Sequence, residues 1–357
     1  MRYLGPGELR LLGRLIIDPS SRQADLARDL GVTRSAVNQI WNSLSTENNL
    51  SIRSNLDFGK IGLRMIFGWA SSSTGSDVLT KFGRWLKSSK MVTTVLPSVM
   101  SSTFDSHVYF EALLPAGSQS GWFHSQIDRF RKKPYSLIIY TSECSRISHH
   151  ANLGLFDGSI WGFPDNFRLE ASIGAARSYV DILPVEGTVE QSNPVAMNAD
   201  ALLTAAVLEN DFYASATRLA DYYVELGFPP DSDRTFRRKI ARVRKDLTHP
   251  YVEVHNIGLE QRLLVCIRDD SYTESTFSRL LHAQAGTFPK ARVVSGPSLT
   301  LLELELPNNV NWLELSQILS SLAGNASEIC TFIADMREKG TRLESVVTHL
   351  TSHTTSG

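Results

Sequence analysis

Arg22-Gln23-Ala24-Asp25-Leu26-Ala27-Arg28-Asp29-Leu30-Gly31-Val32-Thr33-Arg34-Ser35-Ala36-Val37 has the spacing of a helix-turn-helix. Ala27 is small where two helices must cross closely, and Gly31 can take the positive φ of a tight turn. Thr33 is a helix cap, and Val37 with Ile40 completes a miniature core. Upstream, Leu9, Leu11, Leu12, Leu15, Ile16 and Ile17 are interrupted by Glu8, Arg10 and Arg14, so Glu8 to Ile17 reads as an amphipathic helix, not a signal peptide. Downstream, Thr33 to Ser45 is a third helix. Leu50 to Leu56 then alternates like a short hairpin arm, and Ser51–Asn55 with Arg53 is the predicted wing.

The pattern occurs twice. After the first three helices come strand Leu63–Ala70, helix Ser76–Ser89, strands Met91–Leu96 and His107–Leu114, helix Gly121–Lys132 and strand Ser136–Tyr140. In the second copy, helices Ala199–Glu209, Ser215–Leu226 and Asp233–Leu247 precede the extended Tyr251–His255. Strand Gln261–Arg268, helix Thr273–Ala285, strands Ala291–Ser295 and Leu299–Leu306, helix Trp312–Leu322 and strand Glu328–Ile333 follow. Each copy has the βαββαβ order of a ferredoxin-like unit. The predicted class is therefore α+β, with two winged helix-turn-helix domains each followed by a ferredoxin-like domain. The boundaries are 1–60 and 61–144 for the first pair, 198–258 and 259–350 for the second. Residues 145–197, rich in Gly, Pro and aromatics, read as an ordered connection, and 351–357 as a frayed tail. Each unit leaves one sheet face open, and a bare face must meet something. The sheets are thus expected to associate, either within one chain or as a homodimer.

The chain has 357 residues, 42% apolar and 20% charged, with Lys+Arg 36 against Asp+Glu 37. That length buries ample core without disulfides. The net charge of -1 excludes a basic chromatin protein, so any nucleic-acid affinity must come from local clustering. Cys144, Cys266 and Cys330 form no metal knuckle, and scattered thiols fit a reducing cytoplasm. No stretch is apolar enough to suggest a membrane partner.

On a helical wheel, Val37, Ile40, Trp41 and Leu44 share the buried side of the third helix. Thr33 and Arg34 open it, and Ser35, Asn38, Gln39 and Asn42 lie on the polar side, short side chains suited to base edges. A polar solvent face is the plain alternative. In the second copy, Arg234, Arg237, Arg238, Lys239, Arg242, Arg244 and Lys245 crowd one helix with no acid among them. Like charges at i,i+4 destabilise a helix by roughly 0.2–0.5 kcal/mol per pair, so the cluster implies an anion. The predicted ligand is double-stranded DNA. Ser35, Asn38, Gln39, Arg234 and Arg238 would contact bases, and Arg53 and Lys245 phosphates, with Arg237 and Arg242 beside them.

The order of elements and the wording of Arg22–Gly31 resemble the Lrp/AsnC family of transcription regulators. Leu56–Leu63 resembles that family's link into its sensor domain, and Val294–Leu302 its β2–β3 turn. The resemblance implies a DNA-binding regulator; with no GxSxG, P-loop, HExxH or GxGxxG motif in the chain, no enzymatic activity, cofactor or metal is expected. It also implies dimerisation through the βαββαβ domains and a small-molecule effector, commonly an amino acid. Departures are the duplication, the long turn Gly227–Ser232, the sparse charge of Asn38–Trp41 and the insertion Ser145–Met197. Two rivals stand beside it. One is an enzyme similar to siroheme decarboxylases, which share this architecture as paired halves and need an Arg/His-lined tetrapyrrole cavity; His107, His124, His149 and His150 are the candidates. The other is a protein-binding adaptor. His149-His150 near Cys144 and Asp157 read as a surface loop in preference to a metal site, because adjacent histidines on an extended segment point apart. Trp69, Trp85, Trp122 and Trp312 read as core.

Overall fold

A computed structural model describes residues 3–72, 76–101, 105–115, 118–162, 188–269, 276–313, 315–316, 327–338, 340 and 343–354. Its class is α+β. Helices α1 (Pro6–Ile17), α2 (Gln23–Leu30) and α3 (Arg34–Glu47) bury Leu11, Leu12, Leu15, Leu26, Val37 and Leu44 against one another. Gly31 turns the chain between α2 and α3 at φ 66, a conformation that favours glycine. The Thr33 hydroxyl accepts the Ala36 N–H and caps α3. In the second copy α6 (Ala199–Asn210), α7 (Ala216–Glu225) and α8 (Asp233–Leu247) are capped in the same way by Asn198, Ser215 and Ser232. (Between the two sets lie α4, Ser76–Ser88, and α5, Ser118–Arg131.)

The predicted wing is not formed. Strand β1 (Ser51–Leu56) pairs antiparallel with β8 (Thr248–Glu253) of the other copy, with Arg53 opposite Tyr251. The physical reason is local. After Leu56 the chain turns at once through Gly59–Ile61 into β2 (Leu63–Ser72), leaving no return strand for a hairpin. The unpaired edge of each arm is satisfied by the equivalent arm of the other half. Ile52 and Val252 of this ribbon face the first helical cluster, and Arg53, Tyr251 and Glu253 point the other way.

The remaining strands form one ten-stranded sheet in the order β5-β2-β4-β3-β12-β9-β11-β10-β6-β7. The first half contributes β2, β3 (Val92–Ser101), β4 (Ser106–Pro115) and β5 (Ile138–Glu143). The second contributes β9 (Leu259–Arg268), β10 (Lys290–Ser295), β11 (Leu299–Pro307) and β12 (Glu328–Ala334), with α9 (Thr276–Gln284) and α10 (Leu343–Thr354). The halves join edge to edge where β12 meets β3, Phe332 opposite Ser101. They join a second time through the insertion, because β6 (Arg146–Ala151) leaves β5 at Ser145 and pairs with β10. β7 (Thr188–Glu190) follows on its far side. The sheet therefore curls on itself: Arg292 of β10 reaches Glu111 of β4 at 2.6 Å although four strands separate them in the sheet order.

Alternation separates the two faces of the second half. Leu263, Val265, Ile267, Val293, Leu302 and Leu304 pack outward beneath Leu280 and Leu281 of α9. Leu264, Cys266, Val294, Leu299 and Leu301 face inward and join the core of the first half. The bare sheet faces thus cover each other within one chain, which removes the reason offered for a homodimer. Other expectations are adjusted. The last helix runs on to Thr354, so the predicted tail is partly helical. Trp122 and Trp312 are exposed, whereas Trp69 is buried. Most of the predicted helix Trp312–Leu322, and residues 163–187 of the connection, lie outside the described residues.

Phe332 is fully buried at the seam between the halves. Phe332→Ala is expected to cost about 3–5 kcal/mol in urea unfolding, with both halves unfolding in one transition. Two separate transitions would show that the seam does not couple them.

Candidate functional site

A cavity of about 630 Å³ lies between the β1–β8 ribbon and the inner face of the curled sheet. That is within the usual range for small-molecule sites. Its wall is built by strand alternation. The inner residues of β9, β10 and β11 are apolar toward one end and charged toward the ribbon, where Arg262, Lys290, Arg292, Glu303 and Glu305 lie. β4 adds Glu111, β6 adds His149 and His150, the ribbon adds Arg53, Tyr251 and Glu253, and α6 adds Glu209.

The charges are paired. Arg292 holds Glu111 at 2.6 Å and Glu303 at 3.4 Å, and Arg262 holds Glu303 at 3.1 Å. Lys290 binds Glu305 at 2.8 Å, and Arg53 pairs with Glu253 across the ribbon. Tyr109 donates to Glu111 at 2.6 Å, and the Thr94 hydroxyl donates to the same carboxylate at 3.1 Å. Burial opposes ionisation of Glu111, but Arg292 and these hydrogen bonds outweigh it and hold the carboxyl below its usual range. Glu253 is likewise held low: burial acts upward, against the hydrogen bond from His255 at 3.0 Å and the charge of Arg53.

The histidines behave differently. His149 stacks on Tyr251 with ring centroids 4.0 Å apart and planes within 5°, linking the ribbon to β6. Burial, then Arg292 and Lys290, push its pKa well down, so it is neutral. His150 Nε2 lies 3.0 Å from Ser148 Oγ, which is 2.7 Å from His282 Nδ1; His282 Nε2 is 2.8 Å from Ser295 Oγ. Burial lowers His150 to about 4 and His282 well below the usual value. The reading of His149-His150 as a surface loop is corrected, since both sit on a strand inside the sheet.

Of the four histidines proposed for a tetrapyrrole cavity, His149 and His150 line this one. His107 lies elsewhere, stacked on Phe332 and 3.3 Å from Cys330 Sγ, and His124 is exposed on α5. The predicted DNA-contacting residues are scattered. Thr33 is spent on its cap, and Arg34, Ser35, Asn38, Gln39 and Asn42 are exposed on α3. Arg234, Arg238, Arg242 and Lys245 are exposed on α8 without an ion-pair partner among the described residues, whereas Arg237 pairs with Asp233 at 2.9 Å. Lys239 is tied to Asp200 and Asp231, and Arg244 packs over Phe212. Arg53, placed on a phosphate-binding wing by the sequence, lines the cavity instead, because β1 pairs with β8. Sequence reasoning missed Glu209, Arg262, Lys290, Arg292, Glu111 and His255. The one available signal was the acidic alternation Glu303–Glu305 on a strand otherwise apolar.

No family model and no curated protein matches the chain. Two solved structures of the siroheme decarboxylase NirDL are similar to it. The first covers 98% of this chain and 99% of that one at TM-score 0.52 and 9% identity. The second, in co-complex with an iron-uroporphyrin III analogue, covers 97% and 98% at TM-score 0.50 and 8% identity. The likeness is one of fold, and it runs through both copies and the connection between them. It corrects two expectations. The whole-chain architecture is shared with an enzyme, so the assignment to Lrp/AsnC-like regulators and the expectation of no enzymatic activity do not stand. Among the described residues no helix is long and apolar enough to cross a membrane.

The neutral histidines set a pH dependence. Each takes up a proton in the unfolded chain below about pH 6.5 but not in the folded one, so stability is full above 6.5 and is lost down to the folded pKa, about 4 for His150. Glu209, raised to about 7, works in the opposite direction and offsets one of the three. Urea midpoints are expected to fall between pH 7.5 and pH 5, by up to about 1.4 kcal/mol per pH unit for each uncompensated histidine. A midpoint that is unchanged or rises over that interval would contradict the buried neutral state.

Proposed function

We propose that the chain is an enzyme that binds a polycarboxylate tetrapyrrole of the siroheme class in the cavity beneath the ribbon and removes CO2 from a carboxylate side chain. The observation that carries this reading is the cavity itself: four cations, Arg53, Arg262, Lys290 and Arg292, and three histidines, His149, His150 and His255, converge between two halves. Its support is the whole-chain likeness to siroheme decarboxylase NirDL, which has been solved with an iron-uroporphyrin III analogue. Guanidinium groups suit carboxylates through planar, bidentate hydrogen bonds. Here glutamates hold them in place, and substrate carboxylates compete with those glutamates for the same donors. The layout of two helix-turn-helix units on two ferredoxin-like units belongs to the same proposal, with the helical units closing the cavity by means of the ribbon.

Saturable perturbation of the Soret band by siroheme and by iron-uroporphyrin III, and release of CO2 from siroheme, are the expected results. Arg262→Ala is expected to weaken binding about tenfold or more, since a charged hydrogen bond is worth about 1.5–3 kcal/mol. Neither ligand binding at micromolar concentration would sink the reading.

A second reading rests on a different observation. The exposed row Arg234, Arg238, Arg242 and Lys245 suits a polyanion, and double-stranded DNA fits a row along one helix face. Replacing the three arginines by alanine is expected to reduce the salt slope of DNA binding by roughly one unit for each phosphate no longer engaged. Binding that is absent in the parent chain, or unchanged in the variant, removes this second reading.

A further inference from the structure

Among the described residues the cavity holds five glutamates, and four of them have a cation. Glu111 and Glu303 share Arg292, Glu303 also meets Arg262, Glu305 meets Lys290, and Glu253 meets Arg53. Glu209 stands apart. It is the penultimate residue of α6, its Oε2 accepts the Leu343 N–H at 2.8 Å, and Oε1 has no hydrogen bond among the described residues. We infer that Glu209 is the proton donor of the cavity, delivering its proton to the substrate carbon from which CO2 departs. This rests on the decarboxylation proposed above.

The geometry suits the step. A decarboxylation breaks the bond between a side-chain carbon and its carboxylate, and the electron pair stays on that carbon as CO2 leaves. The carbon must then gain one proton to become a methyl group. No electron is lost or gained overall, so no oxidant or reductant is required. The Glu209 O–H bond supplies the proton, and the resulting carboxylate is reprotonated from water. Each of the other four carboxylates is engaged in an ion pair and is placed to hold its cation, not to deliver a proton. His149 and His150, held neutral, are poor donors, since a neutral imidazole gives up its remaining proton far less readily than a carboxylic acid, and the ring of His255 is engaged by Glu253.

The surroundings keep Glu209 protonated. Burial dominates and raises its pKa to about 7, with the negative charge of Glu344 on α10 acting the same way. The Leu343 N–H and the positive Arg53 on β1 pull downward and are outweighed. Tyr251 of β8 and Tyr222 of α7 are the other titratable groups coupled to it, and burial keeps both phenols neutral. A donor poised near the operating pH is what general acid catalysis favours.

Three measurements on the full chain decide the matter. Infrared difference titration without substrate should show a protonated carboxyl that ionises near pH 7 and is missing in Glu209→Gln. A Glu209 carboxyl already ionised at pH 6 overturns the inference with no appeal to activity. In turnover of siroheme, Glu209→Gln should lower kcat by about 100-fold or more while siroheme binding stays within about threefold. Wild-type kcat should fall as pH rises through about 7, the acid form being required, and that limb should vanish in the variant. Full activity of the variant, with wild type active, overturns the role of Glu209 alone. A wild-type chain that binds siroheme yet releases no CO2 overturns the decarboxylase reading and this step with it. Glutamine retains an acceptor for Leu343, and an unchanged melting temperature separates loss of the proton from loss of the fold.

Discussion

Each four-stranded half of this protein has helices on one side of its sheet and nothing on the other, and an apolar sheet face cannot be left in water. At about 25 cal/mol per Å² of apolar surface, exposing such a face costs more than a domain's whole stability. The two inner faces solve the problem together. Leu264, Cys266, Val294, Leu299 and Leu301 pack into the core of the other half, and the β3–β12 seam fixes their relative position. The direct run of chain from β5 into β6 makes the joint covalent as well as hydrogen-bonded. Sheet curvature, the ribbon and the cavity all follow from that mutual burial.

The cavity exists because burial is incomplete. Toward the ribbon, the inner positions carry Arg, Lys and Glu in place of Leu and Val, and charged side chains cannot close up a dry interface. They form pairs instead, and each pair offsets part of the cost of removing two ions from water. Nearly balanced charge at one end of an otherwise apolar interior keeps that end polar and open to a charged ligand. Glu209, the glutamate without a cation among the described residues, is the place where the balance fails, and it fails at the ribbon, where α6, α10, β1 and β8 meet.

The insertion shows how one segment can serve several ends. As β6 it extends the second half's sheet, places His149 against Tyr251 and starts the buried His150–Ser148–His282–Ser295 series. Further on, Trp161 donates to the Ile257 carbonyl at 2.6 Å, and the Gly158 carbonyl accepts from Leu4. The first helical cluster and the second copy's linker are thereby held to the same strip of chain.

Local signals settled much of this from the sequence alone. The cap at Thr33, the turn at Gly31 and the period of the apolar residues placed the helices, because those features act within one or two turns of chain. The order of helices and strands along the chain was legible for the same reason. What the sequence could not show is which edge pairs with which. The arm around Arg53 looks like a wing until a second arm elsewhere in the chain is brought beside it, and only then does Arg53 turn from a DNA contact into a cavity wall. Glu209, Arg262 and Arg292 were equally silent: each sits in an unremarkable helix or strand pattern, and their meeting depends on the curl of a ten-stranded sheet. Secondary structure is decided by neighbours in sequence, whereas a site built between two halves is decided by how their bare faces find each other.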